Sequence, residues 1–381
     1  MHSFIYLDYA ATTPVAPEVA ELMAGYLTLD GCFANPASRS HLAGWQAEQA
    51  VEKARQQIAK LLAADVREIV WTSGATEANN LALIGAARAN PDKGRHIITS
   101  ALEHKAVLDT CHWLEKEGYS ITRLKPDSQG QISVEQVAEA LTPDTLMVSL
   151  MLVNNELGTV NPIADIGELL TNHSALFHVD AAQAAGKLPI DVNQLQVDLL
   201  SISGHKFYGP KGVGALYVRR QPAVHLEAII HGGGHERGMR SGTLPTHQLV
   251  GMGLAAQMAE EQMAVDKGHI TQCRANFLQQ LNPALFVQTA ENTSNWPGIV
   301  NLAFPAVEAE TLMMALPDLA VSTGSACNAA SIDPSYVLVA LGLSREVALS
   351  SIRFSFGRYL TLEQATLAGQ QLNQALERLK N

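Results

Sequence analysis

Cysteine is scarce and scattered in this chain: Cys32, Cys111, Cys273 and Cys327 are the only four among 381 residues, and no two lie close together. That spacing argues against a disulfide framework and a thiolate zinc site. Positive charge is also short. Against 37 acidic residues stand 26 Lys and Arg, a formal net charge of -11. Non-specific nucleic-acid binding, which needs clustered cations facing phosphates, is therefore not expected. Nowhere does the chain hold the roughly 18 uninterrupted apolar residues that a membrane-spanning helix needs. The opening MHSFIYLDYAATTP has no basic segment followed by an apolar core. We therefore expect a cytoplasmic protein with no membrane association and no direct nucleic-acid contact. What the chain does have is apolar bulk, 47% hydrophobic against 17% charged, enough at this length for a large core and two domains.

Between about residues 45 and 220 short β-rich runs alternate with helical patterns. EIVWTS, HIITS, LMVSLML, ALFHVD and VDLLSIS are continuous apolar strands rather than polar-alternating ones. Such runs fit strands covered on both faces, and the helices between them predict a largely parallel α/β sheet. In the helical run from Gln46 to Leu62, Ala47, Ala50, Val51, Ala54, Ile58 and Leu61 share one stripe, which should face inward. Beyond about residue 262 strands become fewer. A last helix opens at Thr361 with Gln364 three residues on, a capping-box pattern, and Ala365, Ala368, Leu372, Ala375 and Leu379 give it one apolar face. Cys111 and Cys273 sit in helical runs and read as small half-buried residues.

Three segments carry chemistry. ALFHVDAAQ ends an apolar strand in Asp180, with Gln183 in the loop after it. Ligands of parallel sheets sit beyond the carboxyl ends of the strands, and a carboxylate there needs a cationic partner or serves as a helix N-cap. SISGHKFYGPKG ends another strand in Ser203, His205 and Lys206. A lysine between a desolvating strand end and a glycine turn can lose its proton and form a Schiff base; alone, it also reads as a loop lysine. WTSGATEANN runs a strand into Gly74 and a helix start at Ala75 and Thr76, where free N–H groups suit a phosphate, although Thr76 with Asn79 could instead cap the helix.

In this order, together with YLDYAATTPV, NPASRSH, EHKAVLDTC, VNNELGTV, HGGGHERGMRSGT, STGSAC and SSIRFSFGR, these segments resemble the cysteine desulfurases of the class V aminotransferase fold, the IscS/NifS type. The likeness spans nearly the whole chain. It implies a pyridoxal-phosphate-dependent transferase of the aspartate aminotransferase-like fold type I. The implied α/β architecture has a large, mostly parallel sheet domain at 15–262 and a smaller α/β domain from 1–14 and 263–381 that carries the Cys327 loop.

By that resemblance Lys206 carries the Schiff base to pyridoxal 5'-phosphate, Asp180 pairs with the pyridine nitrogen and Gln183 reaches the ring hydroxyl. His104 stacks on the ring. Thr76, Ser203, His205 and the Ala75 N–H hold the phosphate, and Thr243 reaches the phosphate of a neighbouring subunit, which implies a homodimer. Asn155 and Arg353, with help from Asn35, grip the carboxylate of L-cysteine. Lys206 then moves the α-proton, His104 shuttles protons, and the thiolate of Cys327 takes the substrate sulfur as a persulfide, leaving L-alanine. The small residues around Cys327 suit a thiol that must travel. No metal is implied; His231 and His235 flank three glycines, which disfavours a helix.

Asn328 and Ala329 follow Cys327 where relatives commonly carry hydroxyl residues, and the chain ends soon after its last helix, where relatives have a longer tail that contacts the iron-sulfur scaffold. The sulfur acceptor is accordingly expected to be either an iron-sulfur scaffold or a thiolation protein serving tRNA thiolation or DNA phosphorothioation. An aminotransferase or selenocysteine lyase on the same fold would not need Cys327 in such a loop, and a sulfur-relay protein without turnover would not need Lys206 and Asp180 intact.

Overall fold

The computed structural model describes residues 4–291, 294–323 and 333–380. Seven strands form one sheet in the spatial order Ile69–Thr72, Gly214–Val218, Leu199–Ser203, Leu176–Asp180, Thr145–Met151, His96–Ser100, Ser120–Leu124. Gly214–Val218 runs antiparallel to both neighbours and every other pairing is parallel. The five expected strands are all present, and each is buried along its whole length. Two further strands complete the sheet. Ser120–Leu124 lies at the edge and exposes Ser120 and Arg123, so it lacks the continuous apolar run of its neighbours. Because the parallel strands share one direction, Ser73, Ser203, Asp180, Met151 and the turn before His104 all arrive at one edge of the sheet.

Helices cover both faces, because both faces are apolar. The expected amphipathic helix spans Leu42–Leu61, and its stripe of Ala47, Val51, Ala54, Ile58 and Leu61 is buried. Thr246–Leu278 is one continuous helix of 33 residues. Its first half packs on Leu42–Leu61, and its second half packs on the terminal helix Leu362–Lys380. That terminal helix has its capping box in place, with mutual Thr361 and Gln364 bonds of 3.0 and 3.1 Å. Ala365, Ala368, Leu372 and Ala375 are buried, whereas Leu379 is 38% exposed. Cys111 and Cys273 are fully buried rather than half-buried.

A second sheet pairs Ser351–Ser355, Ile299–Ala303 and Val287–Thr289 in antiparallel order. The start of the chain joins this side. Ile5–Tyr6 pairs parallel with Leu319–Ala320, and the Ala10 N–H donates to Ser355 Oγ at 2.9 Å. The chain then crosses to the large sheet, where the Thr13 N–H and hydroxyl both donate to the His205 carbonyl. Among the described residues no helix is long and apolar enough to cross a membrane.

Candidate active site

A cavity of about 630 Å³ opens where the strand ends meet. Its anion-binding corner is built by Gly74, with φ +155 and ψ 178, a conformation open essentially to glycine. The backbone must also come close here: a Cβ on Gly214 would sit 2.6 Å from Gly74 Cα. Helix Ala75–Asn80 starts at once, continues through a π turn at Leu81–Gly85 and ends at Ala89. Ala75, Thr76, Ser203, His205 and Lys211 line this corner. Burial, with Lys206 and Lys211 adding to it, lowers the His205 imidazole to about 4. His205 is therefore neutral at pH 7, and its Nδ1 lies 3.1 Å from Thr12 Oγ1.

In the middle of the cavity stands Asp180, 6% exposed. Asn79 Nδ2 donates to its Oδ2 at 2.8 Å and the Ala182 N–H to its Oδ1 at 2.9 Å, while Asn79 Oδ1 is buried without a hydrogen-bond partner. Lys206 Nζ donates to the carbonyls of Ala10 and Ala11 at 2.6 and 2.8 Å. Gln183 Nε2 donates to the same Ala10 carbonyl at 2.7 Å. The segment Ala10 to Thr13 is thus a floor that holds the amine and the amide side by side. His104 closes one wall. Its Nδ1 accepts from the Ala106 N–H at 3.1 Å, which places the proton of the neutral ring on Nε2. Burial lowers its pKa, partly opposed by Asp180. Beneath it Glu103 is fully buried; its Oε1 accepts from the Met151 N–H at 3.0 Å and its Oε2 has no partner. Burial raises the Glu103 carboxyl well above its ordinary range, opposed in part by the Met151 N–H.

Arg353, 5% exposed, comes from the second sheet. Its Nη1 donates to the Asn155 carbonyl at 3.0 Å and its Nη2 to Asp8 Oδ1 at 2.7 Å. Arg353 Nε and Asn155 Oδ1 remain buried without hydrogen-bond partners, and both residues line the cavity.

The structure brings together Ala75, Thr76, His104, Asn155, Asp180, Gln183, Ser203, His205, Lys206 and Arg353. Asn35 lines a different cavity of about 390 Å³, beside Arg39, Glu48 and Arg55. Thr243 is exposed and lines neither. Its loop is tied back to the anion corner, because Arg240 Nε donates to Glu77 Oε1 at 2.8 Å. Burial of Glu77 would raise its carboxyl, yet Arg240 and Ser73 hold it below the ordinary range. Cys327 lies outside the described residues. Asp8, Asn79, Glu103, Lys187 and the Ala10 and Ala11 carbonyls are additions that sequence patterns alone do not point to, since their contacts join segments up to 345 positions apart.

The family described as Aminotransferase class-V matches residues 5–367. The chain belongs to that family. Class-V aminotransferases use pyridoxal phosphate, and the cavity fits it: a helix start, a buried carboxylate and an amine line one space, and two of its lining residues, Asn155 and Arg353, keep a buried polar atom without a partner among the described residues. The chain is 57% identical over 378 residues to the cysteine desulfurase IscS of Pseudomonas entomophila strain L48, covering 99% of this chain and 93% of that one. Among solved structures it is similar to a NifS-like protein, with TM-score 0.91 and 34% identity over 98% of this chain and 100% of that chain. It is also similar to SspA in complex with cysteine, with TM-score 0.83 and 41% identity over 93% and 99% of the two chains.

Proposed function

We propose that this class-V aminotransferase is a cysteine desulfurase that converts L-cysteine to L-alanine and passes the sulfur through Cys327 to an acceptor protein. The observation that carries this reading is the convergence of Lys206, Asp180 and an incompletely paired Arg353 in one cavity. The Ala75 N–H, Thr76, Ser203 and His205 would hold the cofactor phosphate, and Asp180, braced by Asn79, would face the ring nitrogen. His104 would cover the ring and Gln183 would meet the ring oxygen. Bound there, pyridoxal phosphate supplies the electron sink that lets the substrate carbon next to the carboxylate lose its proton.

The rest is the work of this chain's own side chains. Arg353 and Asn155 hold the substrate carboxylate, with Asn35 reaching the substrate from its own segment. Lys206 takes and returns the proton on carbon, for which it must be released from the Ala10 and Ala11 carbonyls. His104 carries a proton at Nε2. The thiolate of Cys327 bonds to the substrate sulfur while the carbon–sulfur bond breaks; that electron pair stays on carbon, which takes up a proton to become the methyl of alanine. Sulfur is left as a persulfide on Cys327.

The reading includes a cytoplasmic homodimer in which the exposed Thr243 reaches the phosphate of the neighbouring subunit. It also includes an acceptor that is an iron-sulfur scaffold or a thiolation protein. The large unit of residues 15–262 carries the cofactor residues, and the smaller unit of 1–14 and 263–381 contributes Asp8, Arg353 and Cys327.

Mass spectrometry of the holoprotein after L-cysteine, with alanine measured in the same tube, tests the assignment. Alanine together with a sulfur adduct on Cys327 is the expected result, and Cys327→Ala should keep the substrate-dependent spectral change while losing the adduct. Sustained persulfide transfer by Cys327→Ala would sink the role given to that residue.

A further inference from the structure

Behind Gln183 lies a lysine that none of the roles above employs. Lys187 does not line the large cavity; it borders a small one of about 20 Å³ with Tyr9, Thr13, Tyr208 and Asp266. Its Nζ donates to Gln183 Oε1 at 2.7 Å. Gln183 Nε2 in turn donates to the Ala10 carbonyl, which also accepts from Lys206 Nζ. The four groups make one continuous run from Lys187 through Gln183 and Ala10 to Lys206.

A primary amide is nearly symmetric in shape, and its two ends differ mainly in hydrogen-bond chemistry. The Ala10 carbonyl can only accept and an ammonium can only donate, so an amide between them has one favourable orientation. Turned over, it would set oxygen against oxygen and N–H against ammonium. One N–H of Gln183 is then used on Ala10, and the second is left for the cavity that Gln183 lines. We propose that Lys187 is a positioning residue, which orients the Gln183 amide so that the ring oxygen of the cofactor meets a donor instead of an acceptor. This rests on the pyridoxal-phosphate reading of the cavity.

Lys187 also brings charge. Burial, then Lys206 and Arg353, lowers it to about 7, so its charge changes within the range of an ordinary assay. Among the described residues, the groups around it leave it without a free counter-ion. His205, Lys206 and Arg353 lie on the side of the large cavity. On the other side Asp266 is held by Arg358 at 2.7 Å, and burial pushes the phenols of Tyr9 and Tyr208 above their ordinary range. A charged Lys187 strengthens the Gln183 donor by polarising the amide; a neutral one does so less.

The test is a pH titration of the visible absorbance of bound cofactor in wild type, Lys187→Met, Lys187→Arg, Gln183→Ala and the Gln183→Ala/Lys187→Met double variant, with cofactor content measured in each. Lys187→Met should move the midpoint upward, because an amide that is no longer oriented stops donating to the ring oxygen, and Lys187→Arg should restore it towards wild type. In the Gln183→Ala background Lys187→Met should add little, because the two act as one unit. A wild-type midpoint in Lys187→Met, or a shift that is fully additive with Gln183→Ala, would overturn the positioning role. Should Lys187→Met fail to fold, a wild-type midpoint in Gln183→Ala would overturn it as well. Absence of any visible band from the wild type itself would instead overturn the cofactor reading beneath it.

Discussion

Two buried arginines in this molecule differ in what they leave over. Arg55 meets Glu236 through two bonds of 2.6 and 2.9 Å, gives a third to the Ile69 carbonyl and a fourth to Glu52. Glu236 also accepts from the Trp71 N–H. Four hydrogen bonds thus tie the Arg55 guanidinium inside the fold, and both Glu236 carboxylate oxygens are used. Arg353 is as deeply buried, yet it has one carboxylate contact, one carbonyl contact and, among the described residues, no partner for its Nε. A buried charge with unused hydrogen-bonding capacity is costly unless something arrives to use it. The contrast is that Arg55 spends its charge on a carboxylate held by both oxygens, whereas Arg353 beside the large cavity keeps part of its capacity unspent.

Changes that separate the two clusters sharpen this contrast. The largest effect belongs to the centre of the site: Lys206→Ala should lose about 10²–10⁴-fold or more in turnover while thermal unfolding of the protein stays close to wild type. Next is Glu236→Gln, which leaves Arg55 buried without its partner. Chemical denaturation should show about 3–5 kcal/mol of lost stability, with the KM for cysteine of the folded fraction unchanged. A raised KM would mean that the Arg55 cluster is part of the substrate site after all.

Glu103 separates pH from contact. Its carboxyl is raised in the fold, so the native state binds a proton that the unfolded chain releases above its ordinary pKa. The stability this contributes is full below that pKa and falls as pH rises. Glu103→Gln should therefore gain on wild type by up to about 1.4 kcal/mol per pH unit above the carboxylate range, and the two proteins should converge in acid. Denaturant midpoints across pH 4–8 would show it; parallel curves would mean that Glu103 is ionised in the fold. The smallest expected change is Asp8→Asn, which keeps the shape beside Arg353 but weakens the charge pairing. A rise of a few-fold in the KM for cysteine, with kcat and stability nearly constant, is the expected split.

How much of this was legible beforehand depends on distance along the chain. Continuous apolar runs gave away five of the seven strands of the large sheet, because a strand covered on both faces has no polar alternation to confuse it. Ser120–Leu124 is a polar edge and lacks that signature, whereas Gly214–Val218, GALYV and buried throughout, carries it and is obscured only by the glycine-rich turn before it. Asp180 and Lys206 were visible as polar ends of apolar strands, and Gly74 as the break before a helix. The partners that tune them were not. Asn79 looks like a helix cap, Lys187 like a loop lysine, and the carbonyls of Ala10 and Ala11 have no side-chain signal at all. Their roles exist only once the start of the chain passes under residues almost 200 positions away. Thr243 and Asn35 stay apart from the cavity within one chain, which is where the proposed homodimer enters.

The most direct test measures alanine formed by wild type and by Arg353→Ala across a range of L-cysteine concentrations, each protein loaded with cofactor. Wild type should produce alanine with saturation, and Arg353→Ala should need about a hundredfold more cysteine to reach the same rate, the loss that accompanies one buried charge-assisted contact. If wild type forms no alanine, or if both proteins saturate at the same concentration, the account of this cavity as a cysteine desulfurase site built around a waiting arginine is contradicted.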